Sequence, residues 1–112
     1  SPDRQHTVTV TAAGRARVDG RAVQSGEGRV VGRPVWRGDS RALAYLQRTP
    51  YGVRLVVLQD LTTRRPLMWQ LPPAADALRR VMWVGKRRVG VGARALVPRM
   101  VISWSTSTRL LF

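Results

Sequence analysis

The sequence predicts an all-β domain built from antiparallel sheets. Candidate segments alternate between apolar and polar residues with a period of two, and Gly, Pro and Asp separate them at short intervals. Helical periodicity is nearly absent from the 112 residues. Because 44% of the residues are hydrophobic and none is cysteine, one domain must be held by a buried core and backbone pairing, without disulfides.

The first strands form a half-buried sheet. Residues 6–12 place valines and alanine on one face and threonines on the other. Residues 17–23 form two short alternating runs around Asp19-Gly20, which predicts a type I′ hairpin because Gly20 tolerates a positive φ. Residues 30–36 are extended, with a glycine and a proline that interrupt the strand.

The strongest pair of strands lies in the middle of the chain. Residues 41–47 and 53–61 are joined by a short loop, 48–52, that contains Pro and Gly. Residues 53–58 are apolar on both faces except for Arg54. A strand of this kind is covered on both sides, so we expect a layer of structure above it and another below it.

The last part of the chain continues the same pattern. A proline-rich connector with a single helical turn is expected at residues 72–76. Further strands are predicted at residues 66–71, 81–84, 89–93, 97–104 and 108–112. The total is nine or ten strands without a substantial helix, and no aliphatic run is long enough to span a bilayer.

Three stretches of the sequence resemble one another at a spacing of about 40 residues. The first is Ser1-Pro2-Asp3-Arg4, before the strand around Val8. The second is Trp36 followed by Arg37-Gly38-Asp39-Ser40 and an apolar strand. The third is Trp83 followed by the turn Gly85-Lys86-Arg87-Arg88 and another apolar strand. A polar turn and an apolar strand therefore form the repeated unit, and in the second and third stretches an aromatic residue precedes the turn.

The second stretch resembles the WD40-like, TolB-type β-propeller repeat. That repeat consists of an aromatic residue, a Ser-Pro-Asp-Gly turn, an apolar strand, a second strand that ends in Asp, and a Thr-Gly turn. Here Trp36 leads into Arg-Gly-Asp-Ser, residues 53–60 end in Asp60, and Thr62-Thr63 follows. The resemblance implies a bacterial envelope or periplasmic protein with protein partners, and the cytoplasm remains the alternative location.

The resemblance implies a single domain, 1–112, made of blade-like units at about 1–34, 35–80 and 81–112. Trp36 and Trp83 are expected to fill space between these units. The other expected core residues are Leu43, Tyr45, Leu55, Val57 and Val91. A propeller ring needs four or more blades, and this chain supplies two to three. We therefore expect part of a propeller that self-associates as a homo-oligomer or belongs to a larger protein, with a small β-sandwich as the alternative.

The residues that carry chemistry are few. His6 is the single histidine and no cysteine accompanies it, so neither a metal site nor a cofactor is predicted. Ser40 follows Gly38-Asp39, as in Gly-Asp-Ser esterases, but a strand rather than a helix comes next. Asp3, Asp19 and Asp39 occupy turn positions, where Asp bonds its own backbone, and this turn chemistry is favoured over a pair of catalytic carboxylates. We therefore predict a non-enzymatic protein, with a hydrolase fragment as the weaker alternative.

The net charge is +14, and only Lys86 among the cations is lysine. A GC-rich genome explains this arginine usage, and attraction to a polyanion such as nucleic acid also agrees with it. Cationic pairs and triplets fall in turns, at 64–65, 79–80 and 86–88. If the sheets stack in order, matching turns gather on one rim. The predicted function is protein binding or assembly, with polyanion binding as the alternative, and the predicted contact residues are Arg64, Arg65, Lys86, Arg87 and Arg88.

Overall fold

The computed structural model describes residues 1–62, 65–94 and 96–105 and confirms the all-β class. Strands form three antiparallel sheets, and one 3-10 turn, Pro73–Ala75, provides the predicted helical turn. The strands in chain order are β1 (Val8–Val10), β2 (Ala16–Val18), β3 (Arg21–Ala22), β4 (Arg29–Trp36), β5 (Leu43–Thr49), β6 (Gly52–Leu58), β7 (Leu67–Gln70), β8 (Arg80–Gly85), β9 (Arg88–Gly92) and β10 (Met100–Ser103). The predicted strand at 108–112 lies outside the described residues.

The N-terminal sheet has the order β1-β2-β3. Its second hairpin turns at Asp19 and Gly20, whose φ angles are 51° and 81°. Two consecutive positive φ values are the mark of a type I′ turn, so this prediction is confirmed. In β2 the alternation also holds, because Val18 is buried while Arg17, which faces Thr9 across the strands, is exposed. In β1 it fails, because Val8 is only half-buried and Val10 is exposed.

The central sheet is a four-stranded meander with the order β4-β5-β6-β7. Its two middle strands pair without a break from Leu43 opposite Leu58 to Thr49 opposite Gly52. Strand β4 begins at Arg29, which is earlier than the expected unit boundary at 34/35. The pairing of β4 with β5 shifts register between Val31 and Val35, where the glycine and the proline seen in the sequence interrupt the strand.

The C-terminal sheet has the order β8-β9-β10. Strands β8 and β9 form a hairpin in which Gly85 pairs with Arg88. The strand predicted at 97–104 is shorter in the structure and covers only Met100–Ser103. Pro98 cannot donate a ladder hydrogen bond, and the chain before β10 instead forms a small bridged turn between Arg94 and Val97.

The central sheet lies between the other two sheets. Alternate residues of β5 and β6 point to opposite faces, so one face contributes Leu43, Tyr45, Val56 and Leu58 to a core shared with the N-terminal sheet. The opposite face contributes Ala44, Leu46, Val53, Leu55 and Val57 to a core shared with the C-terminal sheet. All nine residues are fully buried. The expected covering of residues 53–58 on both sides is therefore confirmed, and it is supplied by the chain itself.

Tryptophans fill the spaces between the sheets. Trp36 packs against the N-terminal core and stacks on His6 with 6.2 Å between ring centroids. Trp83 packs in the other core, and its indole N–H donates to the Val35 carbonyl at 2.9 Å. Trp104 joins this second core in edge contact with Trp83. Both tryptophans of the repeat thus lie between sheets, as the sequence predicts.

A buried polar cluster lies on one face of the central sheet, against the chain segment that precedes β4. The Tyr45 hydroxyl donates to Ser25 Oγ at 2.8 Å, and Gln47 Nε2 donates to the same oxygen at 3.2 Å. The Arg54 guanidinium donates to Gln47 Oε1 at 2.7 Å and to the carbonyls of Ser25 and Glu27. Burial raises the pKa of the Tyr45 hydroxyl, and the hydrogen bond to Ser25 opposes that shift only in part.

No helix within residues 1–62, 65–94 and 96–105 combines the length and the apolar character that a membrane crossing requires.

Candidate functional site

Turns from all three sheets gather at one end of the stack, and we call this end the rim. It includes the turns 1–4, 37–40 and 86–87. The Asp3 amide donates to Ser40 Oγ at 3.0 Å, which joins the first turn to the second. Arg37 Nη1 donates to the Lys86 carbonyl at 2.9 Å, which joins the second turn to the third. The turns of the three repeated stretches therefore lie together, and of the cationic clusters only 86–88 is among them.

The first two rim turns have the same internal geometry. In each, the amide of the fourth residue donates to the carbonyl of the first, at 3.0 Å in residues 1–4 and 2.9 Å in residues 37–40. The fourth residues, Arg4 and Ser40, have φ angles of 62° and 64°. The carboxylates of Asp3 and Asp39 each accept the amide two residues further on. The turns are thus equivalent despite their different residues, whereas the turn 86–87 is a tight hairpin without an aspartate.

A groove of about 1010 Å³ opens at the rim, and charges of both signs line it. The anionic lining residues are Asp3, Asp39 and Asp60, and the cationic ones are Arg37, Arg41 and Lys86. These carboxylates already accept hydrogen bonds within turns. Asp60, for example, accepts from both the amide and the hydroxyl of Thr62. These hydrogen bonds lower the pKa of Asp60. The rim is therefore a mixed surface, and its anions serve the local backbone.

The closest ion pair of the rim joins Arg37 and Asp39. The guanidinium donates from Nε and Nη2 to the two carboxylate oxygens, each at 2.8 Å. It also lies over the Trp83 ring, 5.6 Å from the centroid. Hydrogen bonding from Arg37, helped by the Arg41 amide, lowers the pKa of Asp39 to about 2. The guanidinium nitrogens of Arg37 are therefore already used in hydrogen bonds within the protein, and the role of Arg37 is to hold the rim turns together.

We expect NMR titration of the Asp39 carboxyl to give a pKa of about 2, and Arg37→Met to move it toward the ordinary value of 3.8. Because the folded-state pKa is depressed, the stabilisation exists above the unfolded pKa and disappears as the pH falls from about 4 to about 2. The pair is partly exposed, so the effect on the free energy of unfolding stays below about 1 kcal/mol. An unchanged Asp39 pKa in the variant would show that the Arg37 guanidinium does not cause the low value.

His6 and Ser40 both line this groove, but each has another partner. His6 Nδ1 lies 2.8 Å from Asp19 Oδ2, and Ser40 is almost fully buried with its hydroxyl accepting from Asp3. No hydrogen bond between His6 and Ser40 is found in the described ranges. The arrangement suits a structural turn, because a nucleophilic serine needs its base within hydrogen-bonding distance.

The predicted basic contact residues are only partly brought together. Arg64 lies outside the described residues, Arg65, Lys86 and Arg88 are exposed, and Arg87 is half-buried. The loop before Arg65 contributes Leu61 and Thr62 to the groove that Lys86 also lines. The pair Arg79-Arg80 lies at the other end of β8 from Lys86, so it does not join the rim. The three cationic clusters thus do not form one basic ring.

Other ionisable groups of the described segments also stay apart. Within residues 1–62, 65–94 and 96–105, no three side chains of His, Cys, Asp or Glu come close enough together to hold a metal ion.

The outer faces of the two terminal sheets differ in how much apolar area they expose. The N-terminal sheet presents Thr9 and Arg17 outward, both exposed. The C-terminal sheet presents Met82, Val84 and Val101 outward, with Val84 and Val101 42% and 44% exposed, and the exposed arginines Arg80 and Arg88 lie on the same face. We call these the polar end face and the apolar end face. This difference was not predicted from the sequence. The residues of 81–84 that point inward and those that point outward are both apolar, so the signal for an apolar outer face is present in the sequence.

Comparisons with protein-family models, with curated proteins and with solved structures give no match for the chain. The class that the structure defines is that of an all-β protein made of three antiparallel sheets.

Proposed function

We propose that this chain is a non-enzymatic protein-binding or assembly module whose sheets correspond to β-propeller blades. The four-stranded meander of the central sheet, the stacking of sheets in chain order and the equivalent turns at one rim support this interpretation. Each of these features follows from a repeated unit that buries its faces against neighbouring units. An envelope location remains part of the proposal, on the basis of the resemblance alone.

The observation that carries the proposal is the contrast between the two end faces. Threonine and arginine are well solvated on the polar end face. Valines at 42% and 44% exposure on the two outer strands of this sheet, β8 and β10, leave apolar area on this face accessible to another protein. In stacked repeat proteins the terminal units normally have a polar outer face. The outer face of the C-terminal sheet instead mixes exposed valines with the exposed arginines Arg80 and Arg88, and we infer that a further layer of protein packs on its apolar part.

Self-association at high salt tests this face with the chain as its own probe. The exposed arginines Arg80, on β8, and Arg88, on β9, belong to the same sheet as these apolar residues and repel a second copy. The Debye length, over which charges act on one another, shortens from about 10 Å at 0.1 M salt to about 3 Å at 1 M. We therefore expect sedimentation equilibrium to show a monomer in about 0.1 M salt and association in about 1 M salt. Val101→Arg should remain monomeric in both.

Thr9→Arg is the matched control, because it adds the same charge to the polar end face. It should associate as the wild type does. A wild type that stays monomeric at high salt, or a Thr9→Arg variant that loses association as completely as Val101→Arg, would contradict the proposal.

Polyanion binding is the second candidate function, and the charge of +14 favours it. The ion pairs His6–Asp19 and Arg37–Asp39 are found in the described segments, and many arginines outside them, such as Arg17, Arg80 and Arg88, are exposed. This candidate has the opposite salt dependence, because counterion release makes polyanion affinity fall as salt rises. The carboxylates of the rim oppose it, since they stand beside Lys86.

A further inference from the structure

A second groove, of about 400 Å³, lies between the edge strands β4 and β8. Its apolar lining residues are Val35, Trp36, Val81, Met82, Trp83 and Leu96. Both strands are sheet edges, because β4 pairs only with β5 and β8 only with β9. We call this the edge groove. Its volume suits a few side chains of an incoming segment rather than a folded surface.

Leu96 stands at the margin of the edge groove in a conformation that disfavours leucine. Its φ angle is 65° and its side chain is 89% exposed. A left-handed conformation is unfavourable for a bulky residue, and an apolar side chain gains nothing from contact with water. Neither property stabilises the free chain. The positive φ belongs to the tight turn between Arg94 and Val97, and that turn places the exposed Leu96 side chain at the groove, where it is available to an apolar group that enters.

The charge at the edge groove indicates the character of that occupant. Arg80 is the charged residue of the lining, and no carboxylate lines the groove with it. Arg80 is exposed, and neither ion pair found in the described segments includes it. A ligand with a carboxylate beside an apolar side chain satisfies both parts of the site, the aromatic walls and the arginine.

A second copy of the chain fits the edge groove poorly. Each copy carries a charge of +14, and residues 77–85, which surround Arg80 in sequence, contain no acid. A partner with acidic residues gains attraction where a second copy meets repulsion. The occupant is therefore a different protein, and its binding segment is acidic.

We propose that the edge groove binds an acidic, extended segment of a partner protein, with an apolar side chain of that segment held between Trp36, Trp83 and Leu96. The proposal rests on the protein-binding function above and names the chemistry of the partner.

Fluorescence anisotropy with three labelled 12-residue peptides tests the proposal. The first peptide has a central Phe-Leu pair flanked by glutamates. The second replaces Phe-Leu by Ser-Ser, and the third replaces the glutamates by lysines. We expect the first peptide to bind at least about ten-fold more tightly than the other two, because either the apolar or the ionic contact is missing from them. Equal binding of the first and second peptides would overturn the proposal and indicate attraction by net charge alone.

Variants locate the binding site. Arg80→Glu should weaken the first peptide about ten-fold, whereas Arg17→Glu, which changes the net charge equally on the polar end face, should weaken it less than about two-fold. Leu96→Gly should also weaken binding about ten-fold while it raises the melting temperature by about 2–5 °C, since it relieves the left-handed backbone. A purely structural Leu96 would change the melting temperature without changing peptide binding, and that result would contradict the proposal.

The two surfaces share Arg80 and Met82, but Val101 is not among the lining residues of the edge groove, so the variants distinguish the two proposals. If the peptides fail but Val101→Arg still abolishes association at high salt, the edge groove proposal is wrong and the protein-binding function stands. If the peptides bind through Arg80 and the high-salt association is absent, the apolar end face is wrong and the edge groove stands.

Discussion

Replacing Arg54 by methionine is expected to lower the free energy of unfolding by about 3 kcal/mol. The guanidinium makes hydrogen bonds to Gln47 Oε1 and to the carbonyls of Ser25 and Glu27. Gln47 is 1% exposed, so its amide oxygen would be left without a donor in a dry environment. Methionine keeps most of the apolar stem, which confines the loss to the polar contacts. Urea unfolding measures the change.

Arg48→Met is the matched control for this variant. Arg48 lies on the neighbouring strand, is exposed, and donates to the Asp76 carbonyl at 3.0 Å. Its loss should lower the free energy of unfolding by less than about 1 kcal/mol. Equal effects of the two substitutions would show that the buried cluster contributes no more than a surface contact does.

Gly32→Ala is expected to lower the free energy of unfolding by about 3 kcal/mol as well, for a different reason. Gly32 has a φ angle of 70°, and a Cβ atom there would overlap the carbonyl oxygen of Arg79. That oxygen belongs to the backbone that leads into β8, so it cannot rotate away as a flexible side chain can. The central and C-terminal sheets would have to separate at this edge.

Gly20→Ala separates the two components of the Gly32 effect. Gly20 has a similar φ angle of 81°, but a Cβ atom there meets nothing within 4 Å. Only the backbone term of about 1 kcal/mol should appear. The difference between the two variants measures the close approach of the sheets. If thermal or urea unfolding gives the same loss for both, the contact between Gly32 and Arg79 does not limit the packing.

The fold was largely predictable because its strands obey a local rule. The two-faced apolar pattern of residues 53–58 specifies burial on both sides, and this is observed. The turn at Asp19-Gly20 was predictable for the same reason, since its geometry depends on two adjacent residues. The alternation in residues 6–12 predicts one buried face, but Val8 is only half-buried and Val10 and Ala12 are exposed. Which sheet covers which face depends on contacts between distant segments, and the periodicity alone could not assign them.

The buried polar cluster and the edge groove were harder to predict from the sequence. Arg54 stood out as the polar exception in an apolar strand, but its partner Ser25 lies far away in the chain and has no local signal. The edge groove depends on the chain before β10, where the sequence predicted a strand at 97–104. The structure instead has a bridged turn that exposes Leu96. The predicted basic contacts at 64–65 and 86–88 remain a prediction.

The stacking of sheets in chain order has a consequence for synthesis. Each layer is made of one contiguous stretch of chain, so the layers emerge from a ribosome one after another. The core residues Leu46, Leu55 and Val57 gain their cover only when β8 and β9 have been made. During that interval the nascent chain presents an uncovered apolar sheet, and this is the stage at which it is most prone to aggregate or to need a chaperone.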